Sequence, residues 1–502
     1  MLNIRYLLGK VSYYHTALIG ILLVFAGLSI ILPWGYDDSG HLLAAITLSK
    51  TGIWGFPETP LNVIPHSLFV TVGPTLHFPV AFLIKIGFLP AVAARLWVTL
   101  HSFLIIFVAY LFRRSKLDIV VLVIAVLLFS VQFLNYGARY LGEIPGIAYL
   151  LLTVWAFSQP KKIYWTATIW GVLSIFSKEY FLFPLFGLAL FRWLFCSGRS
   201  NRELWVITSW IIAWIVFYIG LFGTDIATFL EYWQNKFGYK DEFYTFSLSS
   251  VHFLLFKPVL IFGTAALWVE YWAQRKIIIR DLAVIQTLLG LMFLLSAGYD
   301  RFGLWLLPAA SIGLAPWLRF LKNYLSNKNR IIKYVLLLTV FLIISQRTLP
   351  MILHWTASYF YEGYGNTKVK YFLDEKFNSV NSSAIINNNP KIVTCEVELV
   401  LGLKDYLWQL PVYPPMAAHQ QAFILNSGDW FISGPFSESV YYLKPDSSKA
   451  KLWIKIPIQA KTFFFTPEEE FYSIYQITQS CVLNPSANVK QTYPKMGSKL
   501  SN

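Results

Sequence analysis

Asp37 and Asp38 stand side by side in WGYDDSGHLLAAITLSKTG, directly after the first long apolar run. Three further ionisable sets occupy comparable places: Arg139 and Glu143 in NYGARYLGEIPG, Lys178 in FSKEYF, and Asp300 with Arg301 in AGYDRFGLWLLP. A carboxylate can take a proton from an attacking hydroxyl or amine, and Arg or Lys can hold the charge that gathers on a departing phosphate. Both halves of a group transfer from a lipid-linked phosphate are therefore represented. Taken singly, each set has a plainer reading as snorkelling or helix-end anchoring at a membrane interface. Taken together on one side, an acidic pair, a further acid and three cations favour chemistry.

The elements that must hold these residues are apolar helices. Of 502 residues, 56% are hydrophobic and 13% charged, and the mean hydropathy is +0.54, far from a soluble globular mixture. The sequence reads as a multi-pass membrane protein. A span needs roughly 20 mainly apolar residues, and about eleven candidates lie near 16–33, 90–112, 117–134, 144–159, 163–177, 181–197, 204–222, 251–271, 281–298, 302–320 and 333–351. Aromatic residues make up 18%, which suits both membrane interfaces and sugar-stacking surfaces; composition does not separate the two. The net charge of +15 sits largely in short loops, so it reports topology rather than a nucleic-acid partner.

Every second loop is basic, which predicts a cytoplasmic N-terminus and places the four ionisable sets on the opposite, outer side. Two short helices are predicted there. One covers 39–51, with Ser39 as its cap and Gly52 as its end; the other is the run LHFPVAFLIKIGF at 76–88, too short to span. His41 falls one helical turn beyond Asp37, within reach of the same site, although an ordinary interfacial histidine is the plainer reading. The loop 224–246 mixes aromatics with both charge signs and suits either a cover for the site or an interface marker.

Residues 1–351 are thus expected to form the transmembrane domain. Residues 352–502 are expected to form a small extracytoplasmic α/β or α+β domain, with a helix near 367–378 and strands in KIVTCEVELVL, AFILNS and KLWIKIPI. Cys395 and Cys481 both fall in that region, and a disulfide and two unpaired apolar residues are equally compatible with the sequence. No nucleotide-binding loop or dinucleotide fingerprint occurs.

The order of these pieces resembles the GT-C membrane glycosyltransferases, specifically the dolichyl-phosphate-mannose protein mannosyltransferase and aminoarabinose lipid A transferase group, over about residues 15 to 320. The matching pieces are YDDSGHLLAAITLSKTG, GPTLHFPVAFLIKIGFLPAVAARLW, ARYLGEIPGIAYLLLTVWAF, SKEYFLFP and DRFGLWLLPAASIGLAP. The resemblance implies Asp37 as catalytic base, and Asp38 beside it. It implies that Asp38 and Glu143 position the acceptor or bind a divalent ion, with Lys178, Arg139 and Arg301 on the donor phosphate; His41 joins the acceptor- or metal-positioning group only by its place one helical turn beyond Asp37. Asp38 stands where Glu is usual and Glu143 where Asp is common, which leaves a divalent cation open; no other cofactor is implied.

The resulting expectation is a glycosyltransferase, in a bacterial inner membrane, that moves a sugar from a polyprenyl-phosphate donor to a lipid, glycan or protein acceptor. One base and no enzyme nucleophile imply inversion. A transporter or flippase of lipid-linked sugars is the alternative from another class, and a saccharide ligase or polymerase keeps the topology but changes the acceptor. Polar groups at one helix end, rather than at midplane on repeated halves, favour the enzyme.

Overall fold

The computed structural model describes residues 13–57, 72–113, 130–159, 164–195, 201–222, 258–294, 303–326, 348–362, 364–378, 391–401, 423–435, 445–458 and 470–483, together with 59, 63–65, 123–124, 126–127, 403 and 408–409. The predicted loop 224–246, half of the span at 117–134 and most of that at 333–351 lie outside them.

The first helix, α1 (Tyr13–Ile31), has no acidic residue in its first turn and no basic one in its last. After Pro33, the helix α2 (Tyr36–Thr51) is capped at Gly35 rather than at Ser39, four residues earlier than the sequence suggests. The cause is Asp38: its Oδ1 accepts the Gly35 N–H at 2.6 Å, satisfying one of the donors left open at a helix start. Asp37 and Asp38 both lie in the first turn, where negative charge meets the positive end of the helix dipole. Gly52 ends the helix with φ 74°, a left-handed conformation that glycine adopts without penalty. A short hairpin, β1 (Gly55–Pro57) with β2 (Val63–Pro65), follows. Then α3 (Pro74–Lys85) starts with Pro74, whose missing N–H costs nothing at that position.

The bundle continues with α4 (Pro90–Arg113), α5 (Val131–Tyr136), α6 (Glu143–Phe157), α7 (Tyr164–Ser177), α8 (Leu182–Phe195), α9 (Asn201–Phe222), α10 (Pro258–Gln274), α11 (Ile277–Leu294), α12 (Gly303–Gly313) and α13 (Ala315–Ser326). At roughly 1.5 Å per residue, α4 is about 36 Å long, enough to cross a hydrocarbon core. Among the described residues, α4, Asn201–Ile219 and Ile277–Leu294 are long and apolar enough to span a membrane. Apolar side chains also cover the outside of the bundle, such as Leu23 and Ile30 on α1, Trp205 and Ile219 on α9, and Phe262 and Val269 on α10. Such an apolar exterior suits lipid rather than water; the chain is an integral membrane protein.

At the centre lies α6, buried at every position except Trp155, where it packs against α4, α7, α11 and α12. Because α6 begins at Glu143, this packing carries one carboxylate into the interior at its first residue. At the opposite end of the bundle, Arg113 donates two hydrogen bonds of 2.6 Å to Glu270 and a third, of 2.9 Å, to the Ile312 carbonyl, tying α4, α10 and α12 together.

Beyond residue 364 the fold changes character. α14 (Gly365–Asn378) precedes a mixed five-stranded sheet with spatial order β4-β3-β6-β8-β7. Its strands are β3 (Ile392–Thr394), β4 (Trp408–Gln409), β6 (Trp430–Ser433), β7 (Ala450–Pro457) and β8 (Phe471–Ile477). β3 runs parallel to β4 and β6, and the other pairings are antiparallel. A separate pair joins β5 (Phe423–Leu425) to β9 (Cys481–Leu483). The run KIVTCEVELVL departs from its strand reading: it is extended only to Thr394 and becomes the helical turn α15 (Val397–Val400). The Thr394 hydroxyl accepts the Glu396 N–H at 3.1 Å, diverting the backbone from the ladder. Cys395 and Cys481 are both buried, and no disulfide joins them.

Candidate active site

Three of the sequence-predicted sets meet at the end of the bundle where α1 stops and α6 starts. The two adjacent acids have separate surroundings. Asp37 is exposed, whereas Asp38 is buried at 1% exposure. Asp38 faces two guanidinium groups, Arg139 Nη1 at 3.8 Å from Oδ1 and Arg95 Nη2 at 3.8 Å from Oδ2. Both distances are ion pairs rather than hydrogen bonds, and Oδ2 accepts no hydrogen bond among the described residues. Burial raises the Asp38 carboxyl above its ordinary value, against the opposing pull of Arg139, Arg95 and the Gly35 N–H.

Arg95 is the residue the sequence reading passed over. It comes from α4, within the AARLW motif, and its donors go to the carbonyls of Ala138 at 2.6 Å and Leu32 at 3.0 Å. The Trp34 ring lies under the guanidinium, 4.2 Å from its centroid. Arg95 thus stitches the end of α1 to the loop that carries Arg139. The available signal was a single arginine inside an apolar run, which a membrane helix tolerates only with partners. Arg139 is itself held by Asn135, through its backbone carbonyl at 3.1 Å and its side-chain oxygen at 3.3 Å. A Cβ at Gly35 would displace the Arg139 guanidinium.

The second cluster is Glu143 and Lys178. Lys178 Nζ lies 3.5 Å from Glu143 Oε1, with exposures of 7% and 1%, and the Tyr180 hydroxyl donates to the same oxygen at 3.2 Å. Lys178 sits at the break between α7 and the 3-10 turn Glu179–Phe181, with extended backbone. Thr75 and Ser177 share a hydrogen bond of 2.7 Å, and Gly73 donates its N–H to the Ser177 carbonyl at 3.2 Å, so α3 is anchored beside this break. Arg301, the third predicted phosphate ligand, lies outside the described residues.

Elements after residue 355 cover this end. Tyr364 donates its hydroxyl to the Ile31 carbonyl at 2.6 Å. Leu43 of α2 packs into the core formed by Leu399, Val400, Trp430 and Ile432. Glu398 on α15 is held by the Tyr472 hydroxyl at 2.9 Å; burial raises its carboxyl above the ordinary value, and the charge of Asp38 adds to that rise. Sequence reasoning gave no hint of Tyr364 or Glu398, because their connection to the first helices exists only in three dimensions.

Among the described residues, no three His, Cys, Asp or Glu side chains gather as a metal site would require. What the arrangement offers is an exposed carboxylate, Asp37, next to a buried acid flanked by two arginines, and a buried lysine held by Glu143.

A helical membrane bundle with this organisation is a GT-C fold, the fold class expected from the sequence resemblance. The particular likeness is to ArnT from Cupriavidus metallidurans. The crystal structure with undecaprenyl phosphate bound matches over 94% of this chain and 98% of that one, with 13% identity and a TM-score of 0.55. The apo structure matches over 91% and 96%, with 12% identity and a TM-score of 0.57. At this identity the likeness is one of fold. No family model and no curated protein matches the sequence.

Proposed function

We propose that the chain is a membrane glycosyltransferase that moves a sugar from a polyprenyl-phosphate donor to an acceptor on the outer side of the membrane. The observation that carries this reading is the division of charge at one bundle end: an exposed acid, Asp37, beside cations placed by Asp38 and Glu143. Its support from the fold is that ArnT has been solved with undecaprenyl phosphate.

In this reading the acceptor hydroxyl or amine gives its proton to Asp37 as it attacks C1 of the sugar. The new bond forms as the bond from C1 to the phosphate oxygen breaks, and the lipid phosphate leaves with that electron pair. One displacement inverts the anomeric centre. Arg139, Lys178 and Arg301 receive the phosphate charge, which cations in a water-poor site stabilise strongly. Asp38 orients Arg139, and Glu143 orients Lys178. In this reading the N-terminus lies in the cytoplasm and residues beyond 352 lie outside, the orientation that the basic loops favour, and the membrane is a bacterial inner membrane.

Purified protein given labelled polyprenyl-phosphate sugars and mixed acceptors is expected to release free lipid phosphate. Asp37→Asn is expected to lower that release by ~10²–10⁴-fold with an unchanged melting temperature. Donor binding without release by either protein, accompanied by transbilayer movement of the donor, would establish a transporter instead. Transfer of a whole saccharide chain rather than one residue would identify a ligase.

A further inference from the structure

Behind α2, apart from the ion pairs, three rings form a chain of hydrogen bonds. Trp54 donates its Nε1–H to Nδ1 of His77 on α3 at 3.0 Å. The other nitrogen of His77, Nε2, lies 3.3 Å from Nδ1 of His41 on α2. His77 is fully buried, at 0% exposure, and its ring lies against those of Tyr140 and Trp54.

An indole N–H only donates, so His77 Nδ1 carries no proton. The single proton of the neutral His77 ring therefore sits on Nε2, facing His41. That proton needs an acceptor, so His41 Nδ1 is bare and the His41 proton is on Nε2. Each tautomer is dictated by the ring before it, starting from a tryptophan that has no choice. His41 is four residues beyond Asp37, on the same side of the helix.

We infer that Trp54 and His77 are positioning residues that hold His41 as a fixed Nε2–H donor to a sugar hydroxyl gripped beside Asp37. A hydroxyl both donates and accepts, and a carboxylate can only accept, so the acid and the locked donor satisfy its two capacities. This inference rests on the glycosyltransferase reading. The hydroxyl belongs to the donor sugar or to the acceptor, according to which KM responds.

The test uses the full-length protein with 15N-labelled histidine in lipid nanodiscs. Both His41 and His77 are expected to show a protonated Nε2 and a bare Nδ1, assigned by loss of each signal in His41→Gln and His77→Gln. Adding a polyprenyl-phosphate sugar or a saccharide acceptor is expected to shift the His41 Nε2 resonance. Trp54→Phe, which removes the donor and keeps a ring, is expected to give mixed tautomers at both histidines. It is also expected to raise one KM about 3–10-fold, the loss of one neutral hydrogen bond, with kcat within about twofold. His77→Leu repeats that effect, whereas His77→Gln restores it, because an amide accepts from Trp54 and donates to His41. A proton on His41 Nδ1, tautomers unmoved by Trp54→Phe, or a fall in kcat with both KM values constant would overturn the inference. If the wild-type protein releases no lipid phosphate with any donor, the transferase reading fails. The nitrogen spectra and their response to added sugar then still decide the role of His41.

Discussion

The two aspartates at the start of α2 show what a residue's neighbours add to its type. In the sequence they are equivalent, and together they announce a site. On a helix, consecutive side chains point about 100° apart, so one faces outward and the other enters the bundle against Arg95 and Arg139. The site's acidity was therefore legible, and the division of labour between the acids was not. For Asp38 a stability consequence follows. Its folded-state value is raised above 3.8, so between these two values the folded protein holds more protons than the unfolded chain. Stability is then fullest below 3.8 and declines as pH rises through the raised value. Melting curves in detergent across acid to neutral pH are expected to show that decline in the wild type and a flatter profile in Asp38→Asn. Parallel profiles would mean that burial of Asp38 is fully compensated by its arginines.

Elements were readable wherever their information is local. The apolar run of α4 and the glycine that closes α2 each act within a few residues, and the sequence places them well, whereas α3 runs from Pro74 to Lys85 rather than over 76–88. Basic runs at helix ends were readable only as topology. Arg113 shows why, since its carboxylate partner is 157 residues away on α10, and nothing near Arg113 anticipates it. The pair is buried, with side-chain exposures of 9% and 6%, which makes removal of one partner costly. Glu270→Ala is expected to destabilise the protein by ~3–5 kcal/mol, because it leaves a buried guanidinium without its counter-charge. The double substitution Arg113→Leu with Glu270→Leu is expected to recover most of that loss. Equal melting temperatures for the wild type and Glu270→Ala would show that the three helices do not depend on this tie.

At the scale of the molecule, the sheet-bearing region and α2 share a core, into which α2 contributes Leu43. Leu43→Ala is expected to cost ~2–5 kcal/mol and to speed hydrogen exchange across 391–401, while exchange within α6 stays slow. Uniform acceleration everywhere would argue that the two regions unfold as one unit. Strands such as β7 were visible in the sequence from their alternation and length. The packing of α15 against α2 was not, because burial of Leu43 depends on residues some 350 positions later.

That separation also sets an order in time. Tyr364 closes onto the carbonyl of Ile31 across 333 positions of chain, and α15 reaches α2 later still. At about 5–20 residues per second, a ribosome takes ~20–70 s to make the chain between Leu43 and Leu399. Throughout that interval the opening helices are already threaded into the bilayer while the surface that will cover Asp38 has not been synthesised. A nascent chain released before α15 already carries its acids and arginines and still lacks the residues that pack against α2.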